Sequence, residues 1–345
     1  MKANRRVIGF ALAVLLGVAL LSLPAVAKDY LYVPTSNYLH VVDCEKDTVV
    51  KTLSYNDYIV GCTPSNDGRK FFFNSWRRIY EVDTATDKLV DVHEFWSDLN
   101  QVNVVGSPSV SADGNYLYLS CYIARKKLNV PRLTLVPPQL VVYDLKKKQI
   151  AKSFEIPHCC TYVLPLRDDP DHVIVMAQDI YSLNLKDGKM TKVLGVLRPD
   201  EGKPGLNNLA LWNHWSPGDA GVFINGAYTV DGKMWYVLFD KKGKLDIVET
   251  EEAIAQYSSI ISADRKYAYS AMDEVYKIDL ATGKTMAMDP IEKGTCYSLA
   301  LTTDGKKLYI GPGGPDLSVY DAGTMKRIGV IQLKSDGMCM SRISK

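Results

Sequence analysis

SADGNYLYLS at 111–120, followed by LVVYDLKKKQIAKSFEI at 140–156, is one unit of a repeat. TTDGKKLYIG at 302–311 with LSVYDAGTMKRIGVIQL at 317–333 is a second copy, and SADRKYAYSA at 262–271 with VYKIDLATGKTMAM at 275–288 a third. Each unit opens on a short apolar strand and turns at an Asp-Gly type sequence. A Tyr-rich strand follows, then a strand ending in Asp, a Thr/Lys/Gly turn and a last alternating strand. The strand-ending Asp gives the register: Asp43, Asp83, Asp144, Asp240, Asp279 and Asp321, with Asn184 in the equivalent place. The spacing is about 40 residues, the period of a four-stranded propeller blade. Two gaps are longer and locate insertions, one at 122–138 in the third unit and one at roughly 199–218 in the fifth.

Stretches such as LHVVD, IYEVD and VYKID alternate with a period of two, the signature of strands. The Asp-Gly and Thr-Gly turns suit hairpins that need positive φ. No stretch reads as a helix of three turns; 249–256 (ETEEAIAQ) is one short turn at most. The fold expected is all-β: a single seven-bladed β-propeller over 28–345. Residues 337–345 make a strand with no blade of their own, and little precedes DYLYVP at 29–34. The two ends are therefore predicted to share a blade and lock the ring, which removes exposed sheet edges.

Residues 1–27 stand apart. Lys2, Arg5 and Arg6 precede an apolar run from Val7 to Leu23, and Ala25-Val26-Ala27 follows Pro24. This is the layout of a secretory signal peptide cleaved after Ala27. An uncleaved anchor is the competing reading; the small-residue site favours cleavage and a periplasmic protein with no membrane attachment. The whole chain of 345 residues carries a net charge of +2. The three cations of the signal account for that excess, so the mature chain is near neutral. No basic face is indicated, which argues against a nucleic-acid partner. The chain has 21 Tyr against 8 Phe. Tyr suits half-buried strands, ring inside and hydroxyl near water.

A search for chemistry finds no Cys-x-x-Cys-His, HExxH, P-loop or nucleophile elbow. Seven cysteines are present. Cys62, Cys159, Cys160, Cys296 and Cys339 fall near the starts of inner strands, so a channel-mouth cluster with His158 is a candidate metal or redox site. Small residues packing where strands converge is the plainer reading. The adjacent Cys159 and Cys160 leave an eight-membered disulfide ring open. Trp212, Asn213, His214 and Trp215 form a candidate partner interface in the fifth unit; a blade-core Trp with a polar turn beside it is the alternative. The 122–138 insertion holds Arg125, Lys126, Lys127 and Arg132 among prolines; a partner contact is expected at its base and a solvated hairpin at its tip. A hydrolase of lactonase type, the main enzymatic alternative, needs carboxylates and Asn around a channel metal. Asn66, Asn115 and Asp179 are available, though no spacing selects them.

With these segments in view the chain resembles the beta subunit of quinohemoprotein amine dehydrogenase. The resemblance rests on DYLYVPTSNYLHVVD (29–43), PPQLVVYDLKKK (137–148), LALWN (209–213) and DLSVYDAGTMKRIGVIQL (316–333) with the strand after it. It extends more broadly to YVTN-type propellers and to heavy chains of other quinone-dependent amine dehydrogenases. The resemblance implies a periplasmic heterotrimer that oxidises primary amines to aldehydes. A di-haem cytochrome c alpha subunit takes the electrons, and a small gamma subunit carries cysteine tryptophylquinone. The propeller has no cofactor and no catalytic residue of its own and helps enclose the quinone site. A free-standing YVTN-type binding propeller is the further alternative. The channel-mouth cysteines match no motif of the family.

Overall fold

The computed structural model describes residues 27–196, 206–208, 221–229, 232–291 and 294–345. Residues 1–26 of the expected signal segment, and Trp212, Asn213, His214 and Trp215, lie outside the described residues.

The described strands form seven four-stranded sheets, all antiparallel, arranged as a seven-bladed β-propeller with no helix among the described residues. Blade one takes β1 (Asp29–Thr35), β2 (Tyr38–Asp43) and β3 (Thr48–Ser54). Blade two is β4 (Gly61–Pro64), β5 (Lys70–Asn74), β6 (Arg78–Asp83) and β7 (Lys88–Glu94). Blade three is β8 (Asn100–Val110), β9 (Tyr116–Lys126), β10 (Leu133–Asp144) and β11 (Gln149–Glu155). Blade four is β12 (Tyr162–Pro165), β13 (His172–Met176), β14 (Ile180–Asn184) and β15 (Met190–Leu194). Blade five is β16 (Leu206–Asn208), β17 (Val222–Thr229), β18 (Met234–Asp240) and β19 (Leu245–Glu249). Blade six is β20 (Ser258–Ile261), β21 (Tyr267–Ala271), β22 (Glu274–Asp279) and β23 (Thr285–Pro290). Blade seven is β24 (Ser298–Leu301), β25 (Lys307–Gly314), β26 (Asp316–Asp321) and β27 (Lys326–Gln332). In blades two to seven the first strand is innermost. The chain then returns: β28 (Ser341–Ser344) pairs with β1 as the inner strand of blade one. The expected closure by the two ends is what the ring shows.

Every register residue ends the third strand of its blade, where its side chain caps the turn that follows. Asp83 Oδ1 accepts from the Thr86 N–H and hydroxyl, Asp279 from Thr282, Asp321 from Thr324, and Asn184 from the Lys186 N–H. The first turn of the unit is also built from its own side chains. Ser65, Ser111, Ser262 and Thr302 each donate to the Asp two residues on, and each hydroxyl accepts the N–H five residues on. These are side-chain turns of the Asx and hydroxyl type.

The core is divided. Seven apolar clusters each join one blade to the next, the last joining blade seven back to blade one. Alternation along a strand feeds opposite interfaces: Phe71 and Phe73 pack towards blade one, Phe72 towards blade three. Both faces of these second strands are therefore buried and their sequences run apolar, as in KFFFN and HVIVM. The inner strands approach closely at the axis. A Cβ on Gly61 would lie 2.5 Å from Ser107 Cα, so only glycine fits there.

The expected insertion at 199–218 holds Leu206–Asn208, which is the inner strand of blade five. Three residues, two of them Asn, are too short and too polar to announce a strand.

Candidate functional site

The third-unit insertion is a continuation of the blade. β9 and β10 stay paired out to Lys126 and Leu133, and Thr134 faces Arg125 across the ladder. The inner strand follows them, with Asn100 opposite Arg125 and Gln101 opposite Ala124. Three strands thus run past the ring as one arm. A ladder on three strands is stiffer than a lone hairpin, because the middle strand is hydrogen-bonded on both sides.

The surface of the arm is apolar and basic. Leu128 is 85% exposed and Leu135 78%, with Leu99 and Leu133 about half exposed. Arg125, Lys126, Lys127 and Arg132 are all exposed, and among the described residues none has an acidic partner. At the base, Trp76 and Trp96 are exposed and the Arg77 guanidinium lies 5.9 Å over the Trp96 ring. Trp96 bridges to Gln101 of the arm, and the Trp76 carbonyl accepts the Val104 N–H. Arg125 and Arg132 are therefore on one projecting element. The apolar surface reaches the tip, where a solvated hairpin was expected. The leucines at 133 and 135 alternate as in a half-buried strand, and only the tertiary structure shows both faces open. The exposed Trp76 and Trp96 carried no signal in the sequence, since a lone Trp in a strand reads as core.

The cysteines distribute differently. All seven are free thiols. Cys160, Cys296 and Cys339 each stand two residues before an inner strand, whereas Cys62 lies within β4. They pack in separate interfaces: Cys62 and Cys339 between blades one and two, Cys160 between three and four, Cys296 between six and seven. Cys62 and Cys339 are the pair brought together, and Cys62 also lies 3.7 Å from the Ser341 hydroxyl. Burial first, and the neighbouring Cys62 second, push the Cys339 thiol well up. Burial pushes Cys160 and Cys296 up to about 12. Such thiols stay protonated and are poor nucleophiles. His158 and Cys159 are exposed in the segment before β12, and the Cys159 N–H donates to the Tyr122 hydroxyl at the base of the arm. The vicinal disulfide is not formed.

Asn66 and Asn115 sit in turns between first and second strands. Asp179 sits in a turn between second and third strands, at the other end of the ring. Asn66 spends its amide on the Ser111 and Ala112 carbonyls; Asp179 accepts the Val196 N–H and pairs with Lys192. The three do not meet.

The fold and the arm define a ring propeller with a projecting three-stranded arm. No protein-family model matches the chain, and no curated protein matches it. Among solved structures, a functionally unknown protein from Desulfotomaculum acetoxidans DSM 771 is similar at TM-score 0.62 and 11% identity, covering 92% of this chain and 99% of that one. The dihydro-heme d1 dehydrogenase NirN, in complex with DHE, is similar at TM-score 0.57 and 13% identity, covering 91% of this chain and 75% of that one. At these identities the likeness is one of fold.

Proposed function

We propose that this chain is the non-catalytic propeller subunit of an exported quinohaem amine dehydrogenase, docking its partners through the arm of blade three. The partners are a di-haem cytochrome c subunit and a small subunit carrying cysteine tryptophylquinone; the propeller contributes scaffold and enclosure. The observation that carries the reading is the arm itself. Four exposed leucines and four unpaired cations on a stiff projection have no use within the ring. Burying a leucine against a partner gains roughly 1.5–3 kcal/mol. The cations steer a partner with an acidic rim. The sequence resemblance supplies the identity of that partner, and the signal-like N-terminus supplies the compartment.

The test is purification of the full chain from its native periplasm. Co-purification of covalent haem and a small quinone-staining chain supports the reading. A lone monomer with bound calcium and esterase activity overturns it. Leu128→Asp with Leu135→Asp should abolish co-purification and leave the melting temperature of the propeller within a few degrees, since neither leucine packs in the ring.

A further inference from the structure

Outside the arm and the cysteines, one set of side chains converges at the outer part of the seam between blades two and three. Glu81 on β6 and Asp91 on β7 are cross-strand partners, and His93 lies two residues further along β7 on the same face. One ligand atom from each lies within 4.8 Å of the others. His93 is held from blade three: its Nδ1 is 3.1 Å from the Tyr143 hydroxyl, with the rings edge to face at 5.3 Å. Its Nε2 points at Glu81 Oε2 at 3.6 Å, too far for a hydrogen bond, and has no hydrogen-bond partner although the side chain is only 1% exposed. A buried imidazole nitrogen aimed at a carboxylate and left unpartnered is a costly arrangement that a positive ion between them would relieve. The other atoms are accounted for. Glu81 Oε1 pairs with Lys70 at 2.7 Å, Asp91 Oδ2 with Lys148 at 2.6 Å, and Asp91 Oδ1 accepts the Val92 N–H.

We propose that Glu81, Asp91 and His93 form a binding site for a divalent first-row transition-metal ion, such as zinc, that clamps blade two to blade three. One imidazole and two carboxylates suit zinc, manganese or iron(II); calcium and magnesium prefer all-oxygen sets, and copper(I) prefers sulfur. The donor tautomer follows from Tyr143. With the Nδ1 proton given to the Tyr143 oxygen, the Nε2 lone pair faces the ion, the usual outer-shell arrangement of a ligating histidine. Glu81 Oε2 is already free. Asp91 must release Lys148, which is largely exposed and has open solvent to swing into. Water completes the coordination. The two lysines balance the carboxylates when no ion is bound, and so compete with it.

This competition makes the proposal testable apart from the docking reading. Full-length mature protein carrying Cys159→Ser, which removes the exposed thiol, is stripped with chelator and titrated with zinc and with cobalt(II) by calorimetry, optical spectroscopy and thermal melting. The expected result is one ion per chain, a cobalt spectrum without a thiolate charge-transfer band, and a melting temperature that rises with metal. Binding should weaken at least tenfold in His93→Gln and in the better-exposed Asp91→Asn, which keeps the fold if the buried substitution does not. Lys148 adopts a positive φ of 53°, so Lys148→Asn keeps the turn. It should bind several-fold tighter, an effect no general destabilisation produces. Absence of binding at millimolar metal overturns the proposal. So does binding that Asp91→Asn and Lys148→Asn leave unchanged.

Discussion

In three blades the register aspartate does more than end a strand, because the carbonyl of the residue after it receives a tyrosine from the preceding blade. Tyr32 donates to Thr84 O and to the Asp87 carboxylate, Tyr269 to Ala322 O at 3.1 Å, and Tyr309 to Cys44 O at 3.0 Å. A lysine adds to each: Lys345 to Thr84 O, Lys277 to Ala322 O, Lys307 to Cys44 O. These three positions call for Tyr and not Phe. The ring of each tyrosine fills an inter-blade core while its hydroxyl bolts the next turn. Tyr269→Phe keeps the ring and deletes the bond, so it should cost about 1 kcal/mol in urea unfolding, with no change of fold. Tyr309→Phe should cost more, because that hydroxyl also reaches the Asp47 carboxylate at 2.6 Å. A second residue sets a pH dependence. His40 lies buried between Thr52, on its Nδ1, and the Lys334 N–H, which its Nε2 accepts. Burial first and the Lys334 ammonium second bring its pKa down to about 4 from 6.5. Between those values the unfolded chain binds a proton that the folded chain does not. The contribution is therefore full above about pH 6.5 and drains away as pH falls towards 4, to a limit of about 3 kcal/mol. His40→Gln should flatten the part of the stability loss between pH 7 and 4.5 that separates it from the wild type, read by denaturant unfolding at both values.

Elements differ in how much of themselves they show in sequence. The third strands were legible because each ends on a capping Asp or Asn, a local requirement that the sequence must meet in every blade. The third-unit insertion was legible in position, since it lengthens one gap in a regular series. Its nature was not: LTLV at 133–136 alternates as a core-facing strand does, and whether a face is wet depends on what the ring places against it. The channel-mouth cysteines show the same limit. Their positions along the strands could be counted, but which interface each enters depends on strand twist and on neighbours distant in sequence; the structure sends Cys62, Cys160, Cys296 and Cys339 to three interfaces and leaves Cys159 exposed. The metal-ligand set on blade two was invisible for that reason as well, since Tyr143, which aims His93, comes from another blade. The arm also predicts its own dispensability for folding. Val136 and Ile123 are ladder partners, so joining them through a two-residue Asn-Gly turn in place of 124–135 restores an ordinary hairpin. Stability should fall by no more than about 1 kcal/mol, the loss being the pairing of Asn100 and Gln101 with the arm. Circular dichroism melting checks this, and co-purification of partners should be lost in the same variant. A large drop in melting temperature would mean that the arm belongs to the core.

At the scale of the whole molecule, stability depends on closing the circle. Seven separate interfaces give no central core to hold an open ring together, and each blade is stabilised chiefly by its two neighbours. The chain closes by placing β28 against β1, with Tyr30 opposite Ile343 and Asp29 opposite Ser344. Lys28 and Lys345 exchange backbone hydrogen bonds at 2.9 Å in both directions. Asp29 ties this blade to blade seven: its carboxylate accepts the Thr303 N–H at 2.6 Å, the Thr303 hydroxyl and the Ser344 hydroxyl. Ending the chain after Gly337 removes Cys339, Met340 and Ile343, each fully buried, from the interfaces on both sides of blade one. At about 2 kcal/mol per side chain this is on the order of 6 kcal/mol, comparable with the whole stability of an ordinary domain. It also bares the inner edge of β1. The truncated chain should lose its cooperative melting transition and aggregate through that edge. Because the missing piece is a strand, a peptide of residues 338–345 supplied in trans should restore the transition in a concentration-dependent way, by adding itself to β1. A scrambled peptide of the same composition should not. If the truncated chain melts cooperatively near the wild-type temperature without peptide, blades two to seven hold together as an arc, and closure contributes little.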